Sequence, residues 1–300
     1  MQFECIICYN QIMKSYNFAK DVKTIRQVFG YTQEDFANKI GIPRVSVARY
    51  EVGEVLPRKS ALEKVFSFAF NNDFNINAAK AMLYEDNKNS RMLLFHGAKS
   101  TIESDIDHNH LNGFKDFGAG FYLSESYDSS ASWVADRENG SCYCFYLENN
   151  SDFKVLKFDV SREWMYAILY FRGAFNKFTP SKEVLDIIDK INNSDVIIAP
   201  IADNNMYDTL NSFSLNLISD EQCLHALSAN NLGLQVVLKS KKACDSIQFI
   251  DRLYLCEDEK KEFLKKKREL SLQSKSKVNL VINQYRRKGK YFDELFKKNG

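Results

Sequence analysis

The spacing of apolar residues changes once along this 300-residue chain, and that change constrains the fold more than any other feature. From Val22 to Phe70 the period is helical throughout. Val22, Ile25, Val28 and Phe29 mark one apolar face; Phe36, Ala37 and Ile40 mark a second helix. A third runs from about Pro43 to Tyr50 with Val47 and Tyr50 inward, and a fourth covers Ser60–Phe70. Downstream of Arg91 short apolar runs are separated by helical stretches. Strands are predicted over Met92–Phe95, Gly120–Ser124, Cys142–Glu148, Val155–Asp159, Val196–Ala199, Leu234–Leu238 and Gln248–Leu253. Helices are predicted over Ser130–Asp136, Arg162–Phe171, Lys182–Asn192, Met206–Leu217 and Glu221–Ser228. Without regular β-α-β alternation this pattern predicts α+β architecture and not a doubly wound sheet.

The expected organisation is an N-terminal extension (1–19), an all-α head (20–75), a polar linker (76–90) around a short helix at Ala78–Tyr84, a body (91–256) and a helical tail (257–300). With 45% hydrophobic residues, 23 Phe, 15 Tyr and only 4 Pro, the chain is an ordered protein with real cores. No run approaches the length of a membrane span, and Met1–Ser15 lacks a basic n-region. Seven cysteines without framework spacing fit a reducing compartment, so a cytoplasmic location and no membrane partner are expected. The formal charge is only +2, but residues 257–300 carry 14 Lys and Arg against 7 Asp and Glu. Such a tail serves as a solvated face, packs on the body, clamps nucleic acid or dimerises.

In the head, Thr32 is placed to cap a helix, Gly41 supplies a left-handed stop and Ile42 tucks the turn under. The string Thr32-Gln33-Glu34-Asp35-Phe36-Ala37, followed by Ile40-Gly41-Ile42-Pro43-Arg44-Val45-Ser46-Val47-Ala48-Arg49-Tyr50-Glu51-Val52-Gly53 and Pro57, resembles the Xre/Cro/phage-repressor helix-turn-helix family. The resemblance implies DNA as a partner. Gln33 would anchor a phosphate, and Arg44, Val45, Ser46 and Arg49 would face the major groove. A homodimer reading two half-sites is implied too. Pro43 departs from the Ser or Thr usual in the family, which removes a hydroxyl contact.

In the body, His96-Gly97 ends an apolar run, and Asp116-Phe117-Gly118-Ala119-Gly120 leads into Phe121-Tyr122-Leu123-Ser124; Ser130-Ala131-Ser132-Trp133 follows. In this order they resemble the His–Tyr–Glu class of ADP-ribosyltransferases, which includes the diphtheria-toxin and poly-ADP-ribose polymerase branches. More closely, residues 93–250 are similar to a family of bacterial domains of unknown function grouped with those transferases. The shared features include Pro200-Ile201-Ala202-Asp203, Tyr207, Ile218-Ser219-Asp220-Glu221, Gln235 and Lys242-Ala243. The resemblance implies a split central sheet with NAD as co-substrate. His96 would bind ribose, Gly97 the carboxamide, Tyr122 the nicotinamide face, Ser130 the amide and Trp133 the far wall, with Phe121 and Asp203 also among the cofactor-binding residues. The chemistry suits these residue types: a glycine lets backbone approach the amide, and a tyrosine stacks on the electron-poor pyridinium. At the third catalytic position the better-known transferases place Glu, whereas this chain offers Gln235. Glutamine can hold a ribose hydroxyl but carries no charge and takes no proton, so Asp203 or the acceptor would supply a base.

The function implied is an NAD-dependent mono-ADP-ribosyltransferase modifying a macromolecule, nucleic acid before protein, on a DNA-binding head. By analogy its setting is a toxin or phage-defence effector that controls its own promoter, with an antitoxin as a further partner. Two alternatives stand beside it: a regulator whose degenerate body senses NAD or ADP-ribose, and an NAD glycohydrolase. Asp107-His108-Asn109-His110 and Cys5-Cys8 lack the partners of a metal set, so no metal is expected. Cys142 and Cys144 share one face of a strand and belong to a core. No dinucleotide-binding glycine fingerprint or P-loop is present.

Overall fold

The computed structural model describes residues 16–103, 105–109, 115–229 and 233–299. The expectations for Met1–Ser15, including Cys5 and Cys8, and for His110 lie outside the described residues. The chain divides into two compact units. The first comprises residues 1–105, 127–148 and 248–266; the second comprises 106–126, 149–247 and 267–300. The stretch 91–256, expected as one body, is therefore divided between them.

The first unit opens with five helices: α1 Phe18–Val28, α2 Gln33–Ile40, α3 Arg44–Glu51, α4 Lys59–Asn71 and α5 Ile76–Asp86. Thr32 caps α2 in a reciprocal box with Asp35, and Gly41 ends it at φ 61°. Val28 departs from the expected apolar face and is 54% exposed, because α1 turns Phe18, Val22 and Ile25 inward. These pack with Phe36, Val47, Val65 and Phe66. The short helix expected at Ala78–Tyr84 within the linker is present and longer, as the three-turn helix α5, which is bonded into the unit through Asn77, Lys80 and Tyr84.

The same unit contains β1 Met92–Ala98, α6 Tyr127–Val134, β3 Ser141–Leu147 and β7 Ile247–Tyr254, with strand order β1-β3-β7. Strands β1 and β3 are antiparallel, His96 opposite Tyr143. Every residue of β3 is buried, and Cys142 and Cys144 join Phe95, Tyr127 and Leu253 in the core as expected. Tyr254 and Cys256 enter the helical core, so the head and this half-sheet share apolar packing.

The second unit has strand order β4-β5-β6-β2, formed by β4 Val155–Lys157, β5 Val196–Pro200, β6 Leu234–Leu238 and β2 Phe121–Ser124. β4 and β5 are parallel; β5–β6 and β2–β6 are antiparallel. Around it lie α7 Arg162–Phe171, α8 Lys182–Asn192, α9 Asn204–Ser214, α10 Asp220–Ser228 and α11 Lys241–Asp245. Ser161, Ser181, Asp203, Ser219 and Ser240 cap these five helices, each accepting a hydrogen bond from the third residue on. Trp164, Phe117 and Phe213 fill the core. The tail forms two helices, within the expected two or three: the 28-residue α12 Glu257–Gln284 and the single-turn α13 Phe292–Leu295. Phe292 and Phe296 of that turn are buried in the core of the second unit.

The architecture is thus α+β: a helical head, a mixed sheet with helices and a C-terminal helix. Among the described residues no helix is long and apolar enough to cross a membrane.

Candidate functional site

In the head, α3 keeps only Val47 fully buried and leaves Arg44, Val45 and Arg49 exposed, with Ser46 half-buried. The second helix of the motif therefore offers its polar side outward. Arg44 lies 3.7 Å from Glu34, and Arg49 pairs with Glu54 at 2.9 Å. Exposed pairs of this kind are weak enough to exchange for phosphate. Gln33 is turned differently from expectation: its amide donates to Glu51 at 2.9 Å. Arg26 holds the same carboxylate through Nε and Nη2 and donates to the Tyr31 carbonyl. Burial pushes the Glu51 carboxyl up, but the bonds from Arg26 and Gln33 outweigh it and hold it below its ordinary value. This network ties α1, α2 and α3 into one rigid element.

The first unit brings together His96, Gly97 and Ser130. His96 and Gly97 are half-buried near the end of β1. A Cβ at Gly97 would overlap the Ser130 carbonyl oxygen and lie 3.1 Å from Val134, so the glycine lets α6 sit against the strand. The Ser130 hydroxyl, expected on an amide ligand, donates to the Phe95 carbonyl at 3.0 Å. Trp133 is on the outer side of α6 and 53% exposed.

The second unit holds Phe121, Tyr122, Asp203 and Gln235. Phe121 and Tyr122 are half-buried on β2, opposite Leu238 and Val237. The Tyr122 hydroxyl accepts from Phe117 N and donates to Gly118 O, so the loop is fastened to the tyrosine. Burial pushes the Tyr122 phenol well up, and it stays neutral. Lys239 secures the same loop, donating to Phe117 O and Ala119 O at 2.6 Å each. Burial lowers its amine to about 8. Asp203 accepts from Met206 N at 2.9 Å as the cap of α9, so one of its oxygens serves helix initiation.

Gln235 lies at the centre of this unit's strands, opposite Ala199 on β5 and Ser124 on β2. It is buried, and its amide nitrogen donates to Pro200 O at 3.0 Å and Asp116 Oδ2 at 3.2 Å. Asp116, 5% exposed, also accepts from Arg172 Nε and Nη2 at 3.0 Å and from the Tyr207 hydroxyl at 3.0 Å. The Arg172 guanidinium stacks 3.4 Å over the Tyr207 ring. Burial pushes the Tyr207 phenol up, and the Asp116 charge adds to that, so Tyr207 remains a donor. The amide nitrogen of Gln235 is thus engaged within the protein, and its carbonyl oxygen Oε1 is by chemistry an acceptor of the kind a sugar hydroxyl requires. Asp116 and Tyr207 stood in the sequence motifs without a role. Arg172 gave no signal there, because it reaches Asp116 from the C-terminal end of α7, 56 positions on.

Five described cysteines are free thiols, and no three metal-ligating side chains gather among the described residues. Asp107 accepts from Asn109 N in a local turn.

No curated protein and no solved structure matches the chain. Residues 22–68 match the family described as "Helix-turn-helix", which makes the head a DNA-binding module. Residues 92–249, more than half of the chain, match a second family, and the chain accordingly belongs to the family described as "Protein of unknown function (DUF3990)".

Proposed function

We propose that this chain is an NAD-dependent mono-ADP-ribosyltransferase whose acceptor is a nucleic acid, joined to a DNA-binding head. The observation that carries the reading is the setting of Gln235. A glutamine in the middle of a central strand costs desolvation unless it is paired, and this one is fixed by Pro200 O and Asp116 with Oε1 left as its acceptor. That is the hydrogen-bonding capacity an NAD ribose hydroxyl requires at the third position of the His–Tyr–Glu class. Tyr122, neutral and pinned by its hydroxyl, offers its ring for nicotinamide, while His96 and Gly97 belong to the strand that would receive ribose and carboxamide.

In the reaction the C1′–N bond to nicotinamide breaks and the electron pair leaves with nicotinamide. An acceptor oxygen or nitrogen then bonds to C1′ and releases its proton. Gln235 stabilises the sugar through its hydroxyl and does not take that proton, which passes to the acceptor's own base or to water. Such a protein would act in the cytoplasm as a toxin or phage-defence effector controlling its own promoter, with an antitoxin as partner and a dimeric head.

A second reading is favoured by one observation: the carboxylate next to Gln235 is paired with Arg172, so Asp116 has no uncompensated charge with which to support an oxocarbenium. On that reading the body senses NAD or ADP-ribose without turnover and the chain is a regulator. Incubation with adenine-labelled NAD and separate pools of DNA, RNA and cell protein divides the readings. Label in a nucleic-acid pool, lost in a His96→Ala/Tyr122→Ala variant, is the expected result. Nicotinamide release without label transfer would make the chain a glycohydrolase, and NAD binding without consumption would leave the sensor.

A further inference from the structure

The tail carries a charge pattern that neither core nor the proposed transfer uses. From Lys265 to Lys290 there are ten Lys and Arg and a single acidic residue, Glu269. All ten basic side chains are exposed. The apolar side of α12 is already occupied: Val278 is buried and Ile282 packs on the core of the second unit. Gln222 donates to Ile282 O at 2.7 Å, and Asn205 donates to Ser271 Oγ at 3.2 Å. With the helix fixed in rotation, Arg268, Lys275 and Asn279 fall on one exposed flank, spaced by helical repeats, with Lys275 and Asn279 beside the cleft against α9, and Arg286 follows in the turn just past the helix end. The turn that follows is held as firmly. Arg287 adopts φ 71°, Ser219 Oγ donates to Lys288 O, and Asp220 Oδ1 accepts from Lys290 N at 2.7 Å. Beside it the Tyr285 ring stacks on His225 with centroids 3.7 Å apart.

We propose that this flank of α12, with the basic turn 286–290, binds the sugar–phosphate backbone of single-stranded nucleic acid. The surface uses residues other than those of α3 and does not depend on whether the body transfers ADP-ribose. A row of exposed cations matches a polyanion, and beside Arg286 the Tyr285 ring, with Lys288 Nζ 5.0 Å from its centroid and His225 stacked on it, adds an aromatic group that a base could reach by displacing the lysine. An anionic membrane fits less well. An interfacial helix needs a continuous apolar face, whereas Val278 and Ile282 are turned into the protein and the exposed Leu270, Leu272 and Leu280 are spread around the helix.

The test uses the full chain with Arg44→Ala and Arg49→Ala to silence the head. Its readout is fluorescence anisotropy with a labelled oligothymidylate of about 20 nucleotides. The additional changes Arg268→Gln, Lys275→Gln and Arg286→Gln, all at exposed positions, should weaken binding at least about tenfold in about 0.1 M salt. The log–log salt slope should fall by about 2, at roughly 0.7 per lost phosphate contact. Lys275→Arg alone should bind like its parent. The proposal is overturned if the triple change leaves affinity and slope intact, or if the parent does not bind the oligonucleotide at low salt. It is equally overturned if the triple change abolishes binding to phosphatidylserine vesicles and spares the oligonucleotide.

Discussion

A buried glutamine beside a buried aspartate decides what the second unit can do. Among the described residues Asp116 pairs with the Arg172 guanidinium and also accepts from Tyr207 and Gln235. Restoring the transferase-like carboxylate with Gln235→Glu would therefore place two carboxylates within hydrogen-bond range of each other with one guanidinium beside them. Like charges in a poorly solvated site raise a pKa, so the expected result is a Glu that stays protonated at neutral pH. We expect a loss of stability of about 1–3 kcal/mol and no gain in NAD turnover. Denaturant unfolding of the variant checks the first point and nicotinamide release the second; a more stable and faster variant would show that Asp116 does not hold residue 235 as a hydrogen-bond acceptor. The identity of residue 235 was readable in the sequence, but its environment was not. Asp116 and Pro200 meet it, and Arg172 meets Asp116, from three distant segments, and no local spacing encodes that meeting.

At the scale of elements, the most consequential contact joins α1, α5 and β7. Lys80 donates to both Asp21 oxygens at 2.9 Å and also pairs with Asp251, which accepts from the Tyr84 hydroxyl at 2.7 Å. One buried cation thus serves two buried carboxylates. Removing it with Lys80→Met leaves both unpaired, and the expected cost is about 3–5 kcal/mol. Asp21→Asn keeps the Lys80–Asp251 pair and should cost far less. Burial, joined by the Asp251 charge and opposed by Lys80, raises Asp21 from 3.8 to about 6. The native protein then holds a proton over that window which the unfolded chain has lost, so stability contributed by this group falls as pH rises from 3.8 to about 6. The difference in unfolding free energy between Asp21→Asn and the parent should accordingly grow in the variant's favour across that range. A flat difference would mean that Asp21 is not titrating there.

Elements with a local signal were legible: Thr32 and Gly41 bound α2, Arg162–Phe171 and Lys182–Asn192 match their predicted spans, and β6 matches Leu234–Leu238. For helix α5 the sequence predicts only the shorter span Ala78–Tyr84 within a linker, because its flanks are polar and its buried residues, Ile76 and Asn77, form no amphipathic stripe. In the tail, the Pro-free sequence between Glu257 and Gln284 carries no stop signal, so the first of its two helices runs unbroken for 28 residues.

For the whole molecule, the two motif-bearing parts were legible in order along the chain, while their division into compact units was not. Residues 248–266 return to the head and its half-sheet, and residues 267–300 join the second unit. Such long-range closure follows from which apolar faces fit together, as with Tyr254 and Cys256 in the helical core, or Phe292 and Phe296 in the core around Trp164. Transfer of ADP-ribose from NAD to nucleic acid is the chemistry on which the proposed function stands or falls. Intact-mass spectrometry of DNA and RNA oligonucleotides, after incubation with NAD and the full chain, reads that transfer without an intermediary. The expected result is a mass gain of one ADP-ribosyl group on oligonucleotide, abolished by His96→Ala/Tyr122→Ala. Unmodified oligonucleotides beside intact NAD would contradict it.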